Sequence, residues 1–232
     1  MVQLVHVSTA YPRQTDLVLR DVSFHIAKGE NVALIGANGA GKTSLLLAVT
    51  GILPICRGSI FIDRVELSKH TARAVQRKTG LVFQNPDDQL FMPRIYDDVL
   101  FGLRNRGMSQ EEAESRMWKT LNRLGIEHLV DRSPSRLSGG EKRLCALAAT
   151  LVMEPDILLF DEPTVFLDPR ARRTTLSLMQ TLSHTKVVAT HDLDFVHALC
   201  SRALILCHGA LVADGDPAVL FADSATMAEW GL

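Results

Sequence analysis

The spacing of apolar residues changes character several times along the chain. Val22, Phe24 and Ile26 alternate with Ser23, His25 and Ala27 up to the turn Lys28-Gly29-Glu30, as in a strand buried on one face. Ser59 to Asp63 alternates in the same way. Residues 32–35, 80–83, 157–160, 186–189 and 203–206 are instead short, nearly unbroken apolar runs, which predict strands covered on both faces. Helical stretches lie between them: one from Lys42 to near Gly51, and a basic one bearing Lys69, Arg73, Arg77 and Lys78 on a solvated face. The turn Asn85-Pro86-Asp87-Asp88 then opens a helical region with helices over 95–103, 110–124 and 139–153. Ser109-x-x-Glu112 and Ser138-x-x-Glu141 both fit a capping box, and Asp168-Pro169 supplies a cap and a first-turn proline to a later helix.

One junction in this pattern carries recognisable chemistry. Gly36-Ala37-Asn38-Gly39-Ala40-Gly41-Lys42-Thr43 fits G-x-x-x-x-G-K-[ST] in the context that gives it meaning, after a buried strand and at the start of a helix. Glycines let backbone N–H groups approach phosphate oxygens, and the helix start adds positive potential. Lys42 brings an ammonium to the terminal phosphates; Thr43, followed by Ser44, offers a hydroxyl to the Mg²⁺ that neutralises them. The expected ligand is a nucleoside triphosphate, and the reaction stays open.

Further polar groups stand at the carboxyl ends of predicted strands, the edge at which open α/β sheets bind ligands. Gln84 follows Phe83, Asp161-Glu162 follow Phe160, and Thr190-His191-Asp192 follow Ala189. Asp161 is placed to hold Mg²⁺, and Glu162 to orient or deprotonate an attacking water. His191 can donate a hydrogen bond to a terminal phosphate or serve structure alone. Tyr11, beside Pro12 in an early loop, can stack on a purine or stand free in solvent. Leu137-Ser138-Gly139-Gly140-Glu141 opens a helix with small residues, a second site suited to an anion.

Composition narrows the partners. A formal net charge of -1, with dispersed charges, excludes nucleic acid as the expected partner. The longest nearly apolar run, Leu144 to Met153, is too short to cross a bilayer, and the N-terminus lacks a secretion pattern, so a soluble chain is expected. Cys56, Cys145, Cys200 and Cys207 form no C-x-x-C pair and are expected to remain thiols. His197, Cys200, Cys207 and His208 are divided between a helix and the next strand, which favours structural roles over a metal site.

Taken in order, the segment 36–43, Gln84, the segment 137–141, Asp161-Glu162 and His191 resemble the ATP-binding subunit of ABC transporters over nearly the whole chain. The resemblance implies an α/β fold: a RecA-like P-loop NTPase core with an antiparallel β subdomain and an inserted helical subdomain. Residues 1–232 would form a single ABC ATPase domain, with 85–154 as the insertion and 1–84 plus 155–232 as the rest. It further implies ATP and Mg²⁺ as cofactors, and a second ATPase subunit, identical or related, meeting the first head to tail around two ATP molecules. Each ATP would contact the phosphate loop of one subunit and Ser138-Gly139-Gly140 of the other. Tyr11 matches the ring that stacks on adenine, Gln84 the glutamine that reaches Mg²⁺ and water, and Asp168 the aspartate that crosses the interface.

A narrower similarity follows Gln84. Residues 85–91, Asn-Pro-Asp-Asp-Gln-Leu-Phe, look like a segment of energy-coupling factor importers, especially the cobalt and nickel type, that grips the membrane partner's helices. Short acidic side chains beside Leu90 and Phe91 suit that docking role, and Leu211 to Pro217 is similar to the family's terminal hairpin. The resemblance thus implies a peripheral subunit on the cytoplasmic face of the membrane, powering cobalt or nickel import. A vitamin or other micronutrient is the alternative cargo, and a non-transport ABC ATPase the alternative class. The chain departs from the family at Val165-Phe166, where a small residue and glycine are usual, and at Glu141, where glutamine is commoner.

Overall fold

The structure is a computed structural model that describes residues 1–232. The chain begins with β1 (Val2–Thr9), β2 (Leu19–Ile26), β3 (Asn31–Ile35), α1 (Lys42–Val49), β4 (Ile55–Ile62), β5 (Val65–Glu66), α2 (Ala72–Lys78) and β6 (Thr79–Val82). Three helices follow: α3 (Ile95–Asn105), α4 (Gln110–Leu124) and α5 (Gly139–Leu151). The remainder is β7 (Ile157–Asp161), α6 (Pro169–Thr181), β8 (Thr185–Ala189), α7 (Leu193–Leu199), β9 (Arg202–Cys207), β10 (Ala210–Gly215), α8 (Pro217–Leu220) and α9 (Ser224–Glu229). No helix is long and apolar enough to cross a membrane.

The strands form two sheets, each matching its sequence pattern. In the antiparallel sheet, ordered β2-β1-β4-β5, β2 buries Leu19, Val22, Phe24 and Ile26 and exposes the residues between them. The second sheet is ordered β10-β9-β3-β8-β7-β6, and all its pairs are parallel except β10 with β9. Its central strands lie between two layers. Because side chains alternate along a strand, Val32, Leu34, Leu159, Val187 and Leu204 face the antiparallel sheet and α1, while Ala33, Ile35, Leu158, Phe160, Val188 and Ile205 face α5, α6 and α7. Covering both faces explains the unbroken apolar runs.

A third core lies within residues 90–152, where Ile95, Val99, Leu103, Met117, Leu121, Cys145 and Ala148 join α3, α4 and α5. Ser138 and Glu141 form a complete capping box at the start of α5. At α4 the box is half formed: Ser109 Oγ accepts from Glu112 N, but the Glu112 carboxylate takes the Ser109 hydroxyl instead of reaching back to its amide. Two expected boundaries also move. β4 starts at Ile55, because its exposed first residues pair with Ser8 and Thr9 across a bulge and leave no hydrophobic alternation to read. α2 begins only at Ala72, after a Ser68–Thr71 turn, which leaves Lys69 outside it.

Candidate functional site

A cavity of about 550 Å³ lies at the carboxyl ends of β3, β6, β7 and β8, large enough for a nucleotide-sized ligand. The loop after β3 supplies Asn38, Gly39, Gly41, Lys42, Thr43 and Ser44; β6 leads to Gln84, β7 to Asp161 and Glu162, and β8 to His191. Tyr11 closes one side, its hydroxyl 2.9 Å from Ser44 Oγ. Val18 and Val165 also line the space, and no chemical motif in the sequence points to them.

Backbone geometry explains the glycines. A Cβ on Gly36 would stand 2.3 Å from the carbonyl oxygen of Leu206, so a side chain there would push β3 and β9 apart. Gly41 caps α1 with φ 105, a conformation that glycine adopts freely. No side chain caps α1, so its first amides are available to an anion. Gly36 borders an adjoining cavity shared with His191, and Ala40 is buried behind the loop. Lys42 is only 7% exposed; its ammonium donates to Gly36 O at 2.8 Å and Ala37 O at 3.4 Å, and lies 3.5 Å from Glu162 Oε1.

The two carboxylates face each other's surroundings differently. Asp161 Oδ2 accepts from the Thr43 hydroxyl at 2.8 Å, while its buried Oδ1 has no partner. Burial pushes the Asp161 pKa up, opposed by the Thr43 bond. Glu162 is buried with φ 46, its amide donating to Ala189 O at 2.8 Å. His191 Nδ1 sits 3.0 Å from Glu162 Oε2, but out of line, so that oxygen makes no hydrogen bond. Converging hard oxygens on Thr43 and Asp161, one of them unpartnered, fit a Mg²⁺ ion. The sequence-flagged His197, Cys200, Cys207 and His208 do not converge as ligands; His197 packs edge-on against Phe221, and burial pushes the Cys200 thiol up to about 12.

A buried carboxylate with a raised pKa binds its proton more tightly in the folded chain than in the unfolded one. Its contribution to stability is therefore greatest below the unfolded value and declines as pH rises through the folded one. Asp161→Asn is expected to raise the thermal midpoint of the metal-free, nucleotide-free protein at neutral pH by about 2–4 °C for each kcal/mol of relieved desolvation. Thermal scans across pH check this: the difference from wild type shrinks on acidification.

Several expected binding residues lie outside the cavity. Ser138, Gly139 and Gly140 form the tip of α5, with Ser138 and Gly139 exposed and Gly140 half-buried, and Asp168 caps α6 by accepting from Arg170 N and Ala171 N at 2.8 and 2.9 Å. The α5 tip lies against the first turn of α6, where a Cβ on Gly140 would be 3.5 Å from Ala171 Cβ. Sequence reasoning missed Arg143 on α5. It is 6% exposed and has no acidic partner; its guanidinium donates to Gln84 O at 2.8 Å, Val165 O at 3.3 Å and Glu162 O at 3.5 Å. The available signal was a charge sharing the buried face with Ala146, Leu147 and Thr150. Asp192, two-pronged with Arg172 at 2.6 and 2.7 Å, caps α7 and fixes the chain after His191.

The segment after Gln84 is anchored to α5. Gln89 donates to Ala146 O and Thr150 Oγ1 at 2.7 and 3.0 Å, and Asp87 pairs with Lys142 at 2.6 Å. Leu90 corrects the expectation of an outward apolar pair: it is 5% exposed and belongs to the helical core. Phe91 remains outside, 61% exposed and edge-on to Phe101 at 5.0 Å, its backbone held by Asp98, which accepts from Phe91 N and Met92 N. The Leu211–Pro217 stretch comprises most of β10, the second arm of the hairpin with β9, and runs on into the start of α8.

Residues 19–165 match the protein family described as ABC transporter. The chain is 39% identical over 229 residues to an energy-coupling factor transporter ATP-binding protein, EcfA, of Methanothermobacter thermautotrophicus, covering 97% of this chain and 73% of that one. Among solved structures it is similar to cbiO1 from Clostridium perfringens, described as part of the ABC transporter complex cbiONQ, with TM-score 0.85, 34% identity and coverage of 98% and 93%. It is also similar to the ATP-binding cassette MJ0796, solved as a dimer in a post-hydrolysis state bound to ADP and Pi, with TM-score 0.82, 27% identity and coverage of 94% and 99%.

Proposed function

The chain belongs to the ABC transporter ATP-binding family, and we propose that it is the ATP-hydrolysing subunit of an energy-coupling factor importer whose cargo is cobalt or nickel ions. ATP binding and hydrolysis follow from the family; the importer type is supported by the likeness to EcfA and cbiO1. The observation that carries the catalytic reading is the cluster of Lys42, Thr43, Asp161, Glu162 and His191 around one cavity.

In this reading the amides of the loop and of α1, with the Lys42 ammonium, hold the β- and γ-phosphates. Lys42 exchanges its contacts with Gly36 O and Ala37 O for phosphate oxygens. Thr43, Asp161 and Gln84 would hold Mg²⁺, which supplies charge neutralisation when bound. Glu162 accepts a proton as the water oxygen bonds to the γ-phosphorus and the bond to the β–γ bridging oxygen breaks, giving ADP and inorganic phosphate. His191 is placed to donate to the γ-phosphate, and Tyr11 to stack on the base. Ser138, Gly139 and Gly140 would complete the site of a second ATPase subunit, with Asp168 at the contact.

The exposed Phe91, edge-on to Phe101, supports docking of a membrane protein's amphipathic helix through residues 84–91. In this reading the chain is a peripheral subunit on the cytoplasmic face of the membrane. The test is uptake of radioactive Co²⁺ or Ni²⁺ by cells producing this chain with the membrane proteins encoded beside it. ATP-dependent uptake is expected, and Phe91→Asp should reduce it at least about tenfold, as loss of an aromatic interface anchor does, while isolated-chain ATP hydrolysis stays the same. Uptake of neither ion would remove the cargo assignment.

A further inference from the structure

Phe166 is the most exposed large apolar residue, at 91%. It also has φ 63, and the other non-glycine residues with positive φ, such as His6, Asp63 and Glu162, are all polar or charged. A bulky apolar side chain in the left-handed region is an outlier that persists only where the surroundings impose it. Here they do. On one side, Val165 O accepts from Arg143; on the other, Leu167 N donates to Thr164 O at 3.2 Å. The loop is pinned at both ends, and its apex presents an aromatic ring to solvent.

We propose that Phe166 is an apolar anchor that packs against a second copy of this chain, beside the symmetry axis, when ATP closes the dimer. This rests on the sandwich arrangement above and deepens it. The partner follows from position. Val165 lines the nucleotide cavity, and Asp168 starts α6, against whose first turn the Ser138–Gly140 tip lies. Phe166 therefore stands on the surface between the open cavity and the helix tip. In a two-fold dimer where each cavity takes the other copy's tip, the ground between cavity and tip on one copy meets the same ground on its mate. A desolvated aromatic at the centre of such a contact is where binding energy concentrates.

The test uses Glu162→Gln as the parent, with dimerisation in Mg²⁺-ATP measured by analytical ultracentrifugation. Phe166→Ser is expected to raise the dimer dissociation constant at least about tenfold, and Phe166→Leu to restore most of the affinity. Binding of a fluorescent ATP analogue to the monomer is expected to be unchanged in both. Phe166→Gly, which suits the backbone angle, is expected to keep or raise the monomer's thermal midpoint while weakening the dimer like serine. A dissociation constant within about twofold of the parent in Phe166→Ser overturns the anchor and leaves the sandwich standing. A parent that stays monomeric with ATP overturns the sandwich, and the anchor with it.

Discussion

Glu162→Gln is expected to lower steady-state ATP hydrolysis by about 10²–10⁴-fold, the usual contribution of a positioned general base, while ATP still binds. Glutamine preserves the size and the hydrogen-bonding reach of the side chain but cannot take the proton of the attacking water. Glu162 is suited to this task by position and setting. It follows β7 directly, is buried, and keeps one carboxylate oxygen near Lys42 and the other free of hydrogen bonds. Its φ of 46 is a strained conformation for glutamate, held by the bond from its amide to Ala189 O. A phosphate-release assay with parallel ATP-binding titration checks the separation of binding from turnover. Turnover near that of wild type would take Glu162 out of the reaction.

Lys42→Ala acts one step earlier and is expected to weaken ATP binding about 10- to 100-fold, because a charge-assisted contact contributes roughly 1.5–3 kcal/mol and about 1.4 kcal/mol is tenfold. The ammonium is buried and its neighbours are carbonyls and one carboxylate, so no other cation stands ready to replace it. The substitution also leaves Glu162 without its nearby positive charge. A modest fall in thermal midpoint is therefore expected alongside the loss of affinity, and calorimetric titration with ATP separates the two. Unchanged ATP affinity in a folded variant would contradict the role given to Lys42.

What could be read from the sequence was fixed by chemistry at close spacing. The phosphate loop shows itself because turn, helix start, lysine and hydroxyl must follow one another within a few residues. Asp161, Glu162 and His191 show themselves because buried parallel strands are conspicuous and their carboxyl ends are predictable. Features that depend on which way a single side chain turns were not legible. Leu90 and Phe91 are adjacent and equally apolar, yet one enters the helical core and the other stays in solvent. Arg143 acts through carbonyls of Gln84, Glu162 and Val165, up to 59 residues away in sequence, and no local pattern encodes such a contact. Ser109 matches the capping pattern as well as Ser138 does, but the Glu112 carboxylate stops at the Ser109 hydroxyl, whereas the Glu141 carboxylate also accepts from the Ser138 amide.

The placement of Ser138, Gly139 and Gly140 is the most informative case. Their motif marks an anion site, and in the folded chain that site lies outside the chain's own cavity. A side chain at Gly139 would meet nothing within its own subunit, so Gly139→Asp should fold normally and obstruct only a partner's phosphates. Mixing Lys42→Ala protein with Gly139→Asp protein, at an ATP concentration too low to load the Lys42→Ala phosphate loop, tests this division of labour directly. A mixed pair contains one site with an intact phosphate loop from one copy and an intact helix tip from the other. Recovery of ATP hydrolysis on mixing is the result expected if two chains build each site; a mixture as inactive as its components would contradict it.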